Sequence, residues 1–338
     1  MTGQVSKPKI FIDYISYFKA TNLGAETHDS SSSNIIGDYD DVFTYNPSHT
    51  KEFMPVEIGG GWNDSTSLYF KIALGDGGYG ESSKLIKSMN FSAILNHNFQ
   101  SLGSGHMTVG ALSTDGSFDY IESNVGYGLG KNNFSLHEWD TGFFDDTNTG
   151  FALRVYQSNW GSQVFKLGSF LAGRSFSFPH SANLSMNINY DTGIKKSKTL
   201  EGFDVVDVNY YRQPDWDGNP PFVSTNASGL SSTSHVGRRS WDLTFSFLKS
   251  DNVHPQNMGD GFMFEQTSNL SFLWNNYDTE NLISHFMGLS LNGQIPFLLQ
   301  PDDQVDTFAM CRLRSNSFSV TQSAPNLYTA KMSFDETW

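Results

Sequence analysis

The amino-acid sequence predicts a mainly β fold built from antiparallel strands. Charged residues make up only 17 % of the 338 residues, whereas aromatic residues reach 14 %, among them 28 phenylalanines. This composition suits half-buried strands joined by polar loops, and it differs from that of long helices rich in Ala, Glu and Lys. Apolar and polar side chains also alternate at a period of two in five segments, while only one segment shows helical spacing.

The five alternating segments are spread along the chain from residue 89 onwards. In each, the apolar side chains fall on one face and polar ones on the other, as in an antiparallel strand with one face on a core. The apolar positions are Met89, Phe91, Ala93 and Leu95; Phe151, Leu153 and Val155; Leu184, Met186, Ile188 and Tyr190; Trp241, Leu243, Phe245 and Phe247; and Tyr328, Ala330, Met332 and Phe334.

One helix is predicted near residues 279–291. Leu282, Ile283, Phe286 and Met287 share a face at helical spacing. Asp278 or Thr279 could cap its start, and Gly293 is a plausible end, because glycine accepts the left-handed conformation in which many helices stop. We expect this helix to pack on a sheet in the C-terminal half.

The chain is long enough for two cores, and we predict two domains, 1–178 and 179–338. The boundary is placed in the segment GRSFSFPHSANLS, residues 173–185. Within the second domain, residues 211–237 are rich in Pro, Gly and Ser. A loop of this length in a compact domain suggests either a contact loop or partial disorder.

Charge and cysteine content exclude several classes of protein. The net charge is −14 and the Lys and Arg residues are scattered, so a nucleic-acid partner is not expected, since phosphate binding needs a basic surface. Cys311 is the only cysteine, so no intrachain disulfide can form. The first residues lack the apolar region of a signal peptide, and no apolar run has the length of a membrane span. We expect assembly in a cytoplasm and no membrane insertion.

Two short motifs resemble ligand sites. His97 and His106 lie nine residues apart, but no third ligand completes a zinc set at a recognised spacing, so we interpret both as residues at strand ends. The glycine-rich GDGGYG, residues 75–80, lacks the lysine of a phosphate-binding loop. We expect the following ESSKLIKSMNF to become a strand within a few positions, which favours a hairpin loop over a phosphate cradle.

Other candidate chemistry is weaker still. The segments DDTNTG (145–150) and DWDGN (215–219) resemble fragments of calcium loops but lack the alternating ligands and terminal Glu. No nucleophile motif is present, and Cys311 lies in a strand pattern typical of a core position. Carboxylate pairs for glycoside hydrolysis are close only in space, so the sequence leaves that enzyme class open without any sign of it. We therefore expect no catalytic residue, no cofactor and no metal.

Tryptophans are the remaining candidates for contact with a ligand or partner. Trp62, Trp139 and Trp216 could stack on sugar rings or lie in an interface, although tryptophan more often belongs to a core.

A resemblance to known folds enters at FSAILNHNFQ and its surroundings. Ile94, Asn96, His97, Asn98 and Phe99, followed by the Asp115-Gly116 hairpin, resemble the pattern of discoidin-like (galactose-binding-like) jelly rolls. The similarity covers about residues 10–175. It implies an N-terminal jelly-roll β-sandwich and says little about a ligand.

The rest of the chain resembles tail proteins of tailed bacteriophages, in which a jelly roll leads into a small β-domain. The matching residues are Arg154, Leu167-Gly168, Ala172-Gly173, the GRRSWDLTFSFL segment, the Q-P-D at 300–302 and the terminal acidic-x-Trp. This chain departs from the pattern by its long loop 211–237 and by Leu298-Leu299, which leaves the exact position in the tail open.

The resemblance implies a structural virion protein at the tail tip, of the distal tail, minor tail or baseplate type. Such a protein would form a homo-oligomeric ring, a hexamer by the symmetry of tails, and would contact other tail proteins. Two alternatives remain: a carbohydrate-binding module that contacts host surface glycans, and a glycan-degrading enzyme.

Overall fold

The protein is described by a computed structural model, which covers residues 7–21, 24–30, 35–37, 43, 45–55, 66–74, 81–98, 105–112, 118–120, 133–139, 144, 150–157, 164–183, 187–209, 213–216, 221–222, 237–254, 281–315 and 317–337. The strands are β1 (Lys9–Asp13), β2 (Gly24–Ser30), β3 (Ile35–Gly37), β4 (Lys51–Pro55), β5 (Thr66–Leu74), β6 (Phe91–His97), β7 (Gly105–Leu112), β8 (Phe118–Tyr120), β9 (Phe134–Glu138), β10 (Gly150–Gln157), β11 (Phe165–Ser177), β12 (Asn187–Asp191), β13 (Ile194–Lys198), β14 (Asp204–Val208), β15 (Arg238–Lys249), β16 (Phe297–Gln300), β17 (Ala309–Leu313), β18 (Ser319–Ala324) and β19 (Leu327–Glu336). The helices are α1 (Tyr14–Thr21), α2 (Glu81–Ser88), α3 (Ser250–Val253) and a π-helix (Leu282–Gly288). The predicted mainly β, antiparallel fold is confirmed.

Twelve strands form one antiparallel sheet. Its main path runs β12-β15-β19-β17-β16-β1-β11-β4-β3, with β18 paired to β19, and with β6 paired to β11 and β9. A second sheet has the order β2-β5-β10-β7-β8, and β13 and β14 form a two-stranded sheet by themselves.

Strand β1 joins the two halves of the chain. It pairs with β11 on one side, Ile12 opposite Arg174, and with β16 on the other, Ile12 opposite Phe297. The predicted boundary after residue 178 falls just beyond the end of β11. Strands from both sides of this boundary therefore belong to a single sheet.

Apolar side chains cover both faces of the large sheet around β1, β6, β11 and β16, as the alternation of side chains along a strand allows. One face carries the larger core, into which the helices and Phe151 and Leu153 of the second sheet pack. The opposite face carries a smaller core, to which Trp216 of the long loop contributes and against which Phe222 packs. Both faces of β6 are buried, including its polar residues Ser92, Asn96 and His97. The expectation that one face of this strand lies in solvent is therefore wrong.

The last residue of β1 caps the N-terminus of α1. Asp13 ends β1, and its carboxylate accepts hydrogen bonds from the amide nitrogens of Ser16 (3.0 Å) and Ala172 (3.1 Å) and from the Tyr45 hydroxyl (3.0 Å). This is the helix cap expected of Asp, and it also ties α1 to β11. Burial raises the pKa of Asp13.

The helices depart from the sequence prediction in number. The expectation of one helix is wrong, because α1, α2 and α3 are also present. The segment ESSKLIKS, expected to turn into a strand, is α2, and its Leu85 and Ile86 are buried. The C-terminal helix is confirmed in place, with Leu282 and Phe286 buried, but it is a π-helix whose Phe286 amide donates to the Asn281 carbonyl, five residues back. Its predicted cap lies outside the described residues.

Besides β6, two further alternating segments differ from the prediction. Ile188 and Tyr190 on β12 were expected to face a core, but they are 44 % and 59 % exposed. In β15, Trp241, Leu243 and Phe245 are buried as predicted, whereas Phe247 is 77 % exposed and Leu248 is buried in its place. The pairing with β19 shifts between Phe245 and Leu248, so an extra residue in β15 reverses the alternation, as a β-bulge does.

None of the helices in the described part of the chain is long and apolar enough to cross a membrane.

Candidate functional site

A polar cavity of about 110 Å³ lies at the end of β6. It is lined by Ser48, Thr50, Asn96, His97, Asn98, Lys166 and Asp215. Three of these residues belong to the Asn-His-Asn stretch that carries the resemblance to jelly rolls.

The backbone around this cavity depends on two asparagines and one glycine. Asn96 (φ 53°) and Asn133 (φ 68°) are both left-handed, a conformation that Asn tolerates better than most residues. They pair at the end of β6 and β9, where the Asn96 amide donates to the Asn133 carbonyl at 2.6 Å. A Cβ at Gly168 would lie 2.4 Å from the Pro47 carbonyl oxygen, so only glycine lets β11 approach the loop before β4.

His97 is a neutral part of this wall. Its side chain is buried, and Nε2 lies 2.9 Å from Ser135 Oγ on the neighbouring strand β9. Burial lowers the pKa of His97 to about 3, because the charged imidazole would lose its hydration. At neutral pH the ring can exchange hydrogen bonds with hydroxyl groups, but its basicity is too low for efficient general-base catalysis.

The remaining polar groups are held in place by the surrounding chain. The Asn98 side chain accepts from the Lys166 amide nitrogen and donates to the Val164 carbonyl, each at 2.8 Å. Lys166 Nζ lies 3.2 Å from Glu52 Oε1. Asn96 donates to the Pro47 carbonyl, while its buried Oδ1 accepts no hydrogen bond. The lining therefore combines fixed amides, two hydroxyls and a neutral imidazole with the charged side chains of Lys166 and Asp215.

The two histidines singled out in the sequence lie on different sheets. His97 ends β6 in the twelve-stranded sheet, and His106 follows the first residue of β7 in the five-stranded one. Their prediction as residues at strand ends is confirmed. Among the described residues no group of three or more His, Cys, Asp or Glu could hold a metal ion. Of the calcium-like segments, residues 145–149 and 217–219 lie outside the described residues.

The three candidate tryptophans have different positions. Trp62 lies outside the described residues. Trp139 is partly buried, stacks on His137 and donates its Nε1 hydrogen to the Met89 carbonyl at 2.9 Å. Trp216 is only 2 % exposed and packs against Phe222 in the smaller core. Its ring is therefore part of the contact between the long loop and the sheet.

A buried ion pair contacts the long loop 211–237, and no sequence pattern predicted it. Arg239 on β15 donates to both carboxylate oxygens of Glu336 on β19, at 2.7 and 3.2 Å, and Glu336 is almost completely buried. Gln213 of the long loop lies 3.4 Å from the same carboxylate. Cys311 on β17 is a buried free thiol, as predicted for a core residue, and burial raises its pKa well above the usual value.

Exposed apolar side chains concentrate in one region of the described structure. Eight of the eleven large hydrophobic residues exposed there fall within residues 188–208: Ile188, Tyr190, Ile194, Leu200, Phe203, Val205, Val206 and Val208. Large exposed apolar patches are rare on monomeric soluble proteins and are found more often at sites of interaction. The pattern at Ile188 and Tyr190 gave no hint of this exposure, because it is the alternation of an ordinary half-buried strand.

Comparison with known proteins adds no relative: no family model, no curated protein and no solved structure matches this chain.

Proposed function

We propose that the chain is a structural component of a tailed-phage virion, located at the tail tip as a distal tail, minor tail or baseplate protein. It forms a homo-oligomeric ring, with a hexamer favoured, and connects the tail tube to the parts that recognise the host. Assembly takes place in the host cytoplasm. This function requires no catalytic step.

The observation that carries the proposal is the exposed apolar region of residues 188–208. Permanent interfaces are larger and more hydrophobic than transient ones. The twelve-stranded sheet, whose strands β1, β6, β11 and β16 are buried on both faces, provides the rigid base that such an interface needs. The kind of assembly, a phage tail, is inferred from the resemblance of the C-terminal half to phage tail proteins.

Intact particles provide the test. Mass spectrometry of purified virions should detect the chain in several copies, and electron microscopy with an antibody fragment against it should place the label at the tail tip. Particles that lack the chain, or carry it only in the capsid, would overturn the proposal.

Contact with a host glycan is the second candidate function, and the cavity at the end of β6 favours it. A sugar presents hydroxyl groups to the kinds of donor and acceptor that line this cavity. A glycan array should then show binding that is lost in Ser48→Ala/Thr50→Val. Loss in Trp62→Ala or Trp139→Phe would instead assign the contact to a tryptophan, and an array without binding by folded protein would count against both.

A further inference from the structure

Strands β13 and β14 form a hairpin, called the arm below (residues 194–208), that leaves the large sheet where β12 ends. The two strands pair from Ile194 opposite Val208 to Lys198 opposite Asp204. The tip closes by a bond from the Gly202 amide to the Thr199 carbonyl at 2.9 Å. Gly202 has φ +86°, so the turn needs glycine at this position. The arm is thus a locally well-specified structure.

The arm nevertheless buries none of its own apolar side chains. Every residue of both strands is exposed. At the tip Leu200 is fully exposed and Phe203 is 67 % exposed. A two-stranded hairpin without a packed face is marginal in water. The arm therefore has the form of an element that gains its packing from a partner.

A second copy of the chain is the partner that best fits this surface. The eight exposed apolar side chains of residues 188–208 amount to on the order of 800 Å², about what each partner contributes to a standard protein interface. The arm and the end of β12 carry three lysines against four carboxylates, so they are nearly neutral in a chain of net charge −14 and are repelled little by another copy.

A lipid surface is a poorer fit. Glu201 lies between Leu200 and Phe203, and Asp204 follows directly, so insertion of the tip would carry two carboxylates into the membrane interface. The apolar positions also continue to the base of the arm, where Ile194 faces Val208 across the strands. If only the tip inserted into a membrane, these apolar residues at the base would stay exposed to water.

A groove on the same molecule offers a place for the tip. This open groove of about 500 Å³, called the groove below, is lined by Met287, Asn292, Gln294, Leu313, Arg314, Ser315 and Phe318. Its size lies in the range of about 300–1,000 Å³ that is common for binding pockets. Met287, Leu313 and Phe318 supply apolar walls, and the amides supply a polar rim.

The arm and the groove lie towards opposite ends of the same strands. The chain enters the arm after Asp191, which pairs with Arg238 at the start of β15. Arg314 at the groove instead contacts Asp242, which pairs with Asn187 at the other end of β12. Because Leu200 is fully exposed, the tip does not occupy the groove of its own chain.

We propose that the arm of one copy docks on a second copy, with Leu200 and Phe203 seated in the groove beside Leu313. The contact joins two different surfaces, so it is heterologous, and a repeated heterologous contact closes into a ring when the rotation permits. This inference rests on the self-assembly in the proposed function and names the surfaces that make it.

Variants at the tip test the arm without disturbing the core. Leu200→Ser/Phe203→Ser removes two exposed side chains, so the chain should fold normally. Sedimentation of the purified full chain should show that self-association weakens by about tenfold or more, the loss expected for interface anchors. The matched control Phe247→Ser/Val305→Ser changes two exposed apolar residues outside the arm and should leave association unchanged.

A disulfide trap tests the groove. Leu200→Cys combined with Ser315→Cys should yield covalent dimers and higher oligomers under oxidation, whereas either change alone should not. The native Cys311 is buried and gives little background. The trapped species should consist of this chain alone.

The outcomes separate the inference from the proposed function. Unchanged association in the tip variant, or no trapped species while the chain still associates, would overturn the docking of the arm and leave a virion role intact. A chain that associates through the arm but is absent from virions would overturn only the virion role. Tip-dependent binding to lipid vesicles without self-association would assign the arm to a membrane and reject the inference.

Discussion

At the scale of single residues, His97, which lines the polar cavity, makes the stability of the fold depend on pH. Its imidazole is buried beside Ser135, and burial lowers its pKa to about 3, against 6.5 in an unfolded chain. Between these two values the unfolded chain binds a proton that the folded chain excludes. Above pH 6.5 the free energy of unfolding is therefore not reduced by His97. It decreases through this group as the pH falls from 6.5 towards 3.

We predict that His97→Gln makes the protein less sensitive to acid. Below pH 6.5 each pH unit costs the folded state about 1.4 kcal/mol through this group, which amounts to about 2 kcal/mol at pH 5. Urea unfolding at pH 7 and pH 5 should show that the wild-type chain loses about this much more free energy of unfolding than the variant does. His49→Gln, which changes an exposed side chain, is the control. Equal losses in wild type and His97→Gln would contradict the prediction.

At the scale of elements, the bulge in β15 decides which side chains meet the core. Phe247 has φ +63° and is mostly exposed, whereas Phe245 before it stacks on Phe178 at 4.2 Å. The left-handed conformation is strained for a residue with a side chain. The exposed phenyl ring therefore gains little from burial and sits on an unfavourable backbone.

We predict that Phe247→Gly is more stable than Phe247→Val by about 1–2 kcal/mol, because glycine accepts positive φ and a β-branched residue does not. Thermal unfolding of both variants beside the wild-type chain measures the difference. If Phe247 instead supported the core, both variants would lose stability to a similar degree.

The same bulge shows where sequence patterns stop being informative about an element. Alternation located β6, β10, β15 and β19, because a period of two follows from the strand backbone itself. It placed Phe247 on the wrong face, since one extra residue inverts the pattern and leaves no trace in composition. The helix α2 was missed for another reason: eight residues with a few apolar positions are too short to show a helical period.

At the scale of the whole molecule, pairing between distant segments could not be predicted. No local signal says that β1 lies between β11 and β16, although this arrangement joins the two predicted domains. The cavity and the groove follow from the same long-range pairings, and so does the ion pair of Arg239 and Glu336. What the sequence did contain was the Asn-His-Asn stretch, because a left-handed asparagine at a strand end, here Asn96, is a local feature.

Gly173 tests whether this shared sheet makes the two halves unfold together. A Cβ at this position would lie 2.1 Å from the Ile12 carbonyl oxygen and 2.9 Å from the Tyr14 amide nitrogen, where β11 meets β1. Gly173→Ala should therefore lower the free energy of unfolding by about 3 kcal/mol or more, since backbone atoms cannot give way cheaply. Because β1 also pairs with β16, the loss should reach the C-terminal strands.

Hydrogen exchange of the Gly173→Ala protein measures whether the loss of stability extends to the C-terminal strands. Amides of β6 on one side of the boundary and of β17 on the other should lose protection by the same factor, as expected when both open in one cooperative step. Gly202→Ala is the control, because its Cβ meets nothing within 4 Å and strains only the tip of the arm. Loss of protection confined to β6 and its neighbours would show that residues 1–178 and 179–338 unfold as separate units in spite of their common sheet.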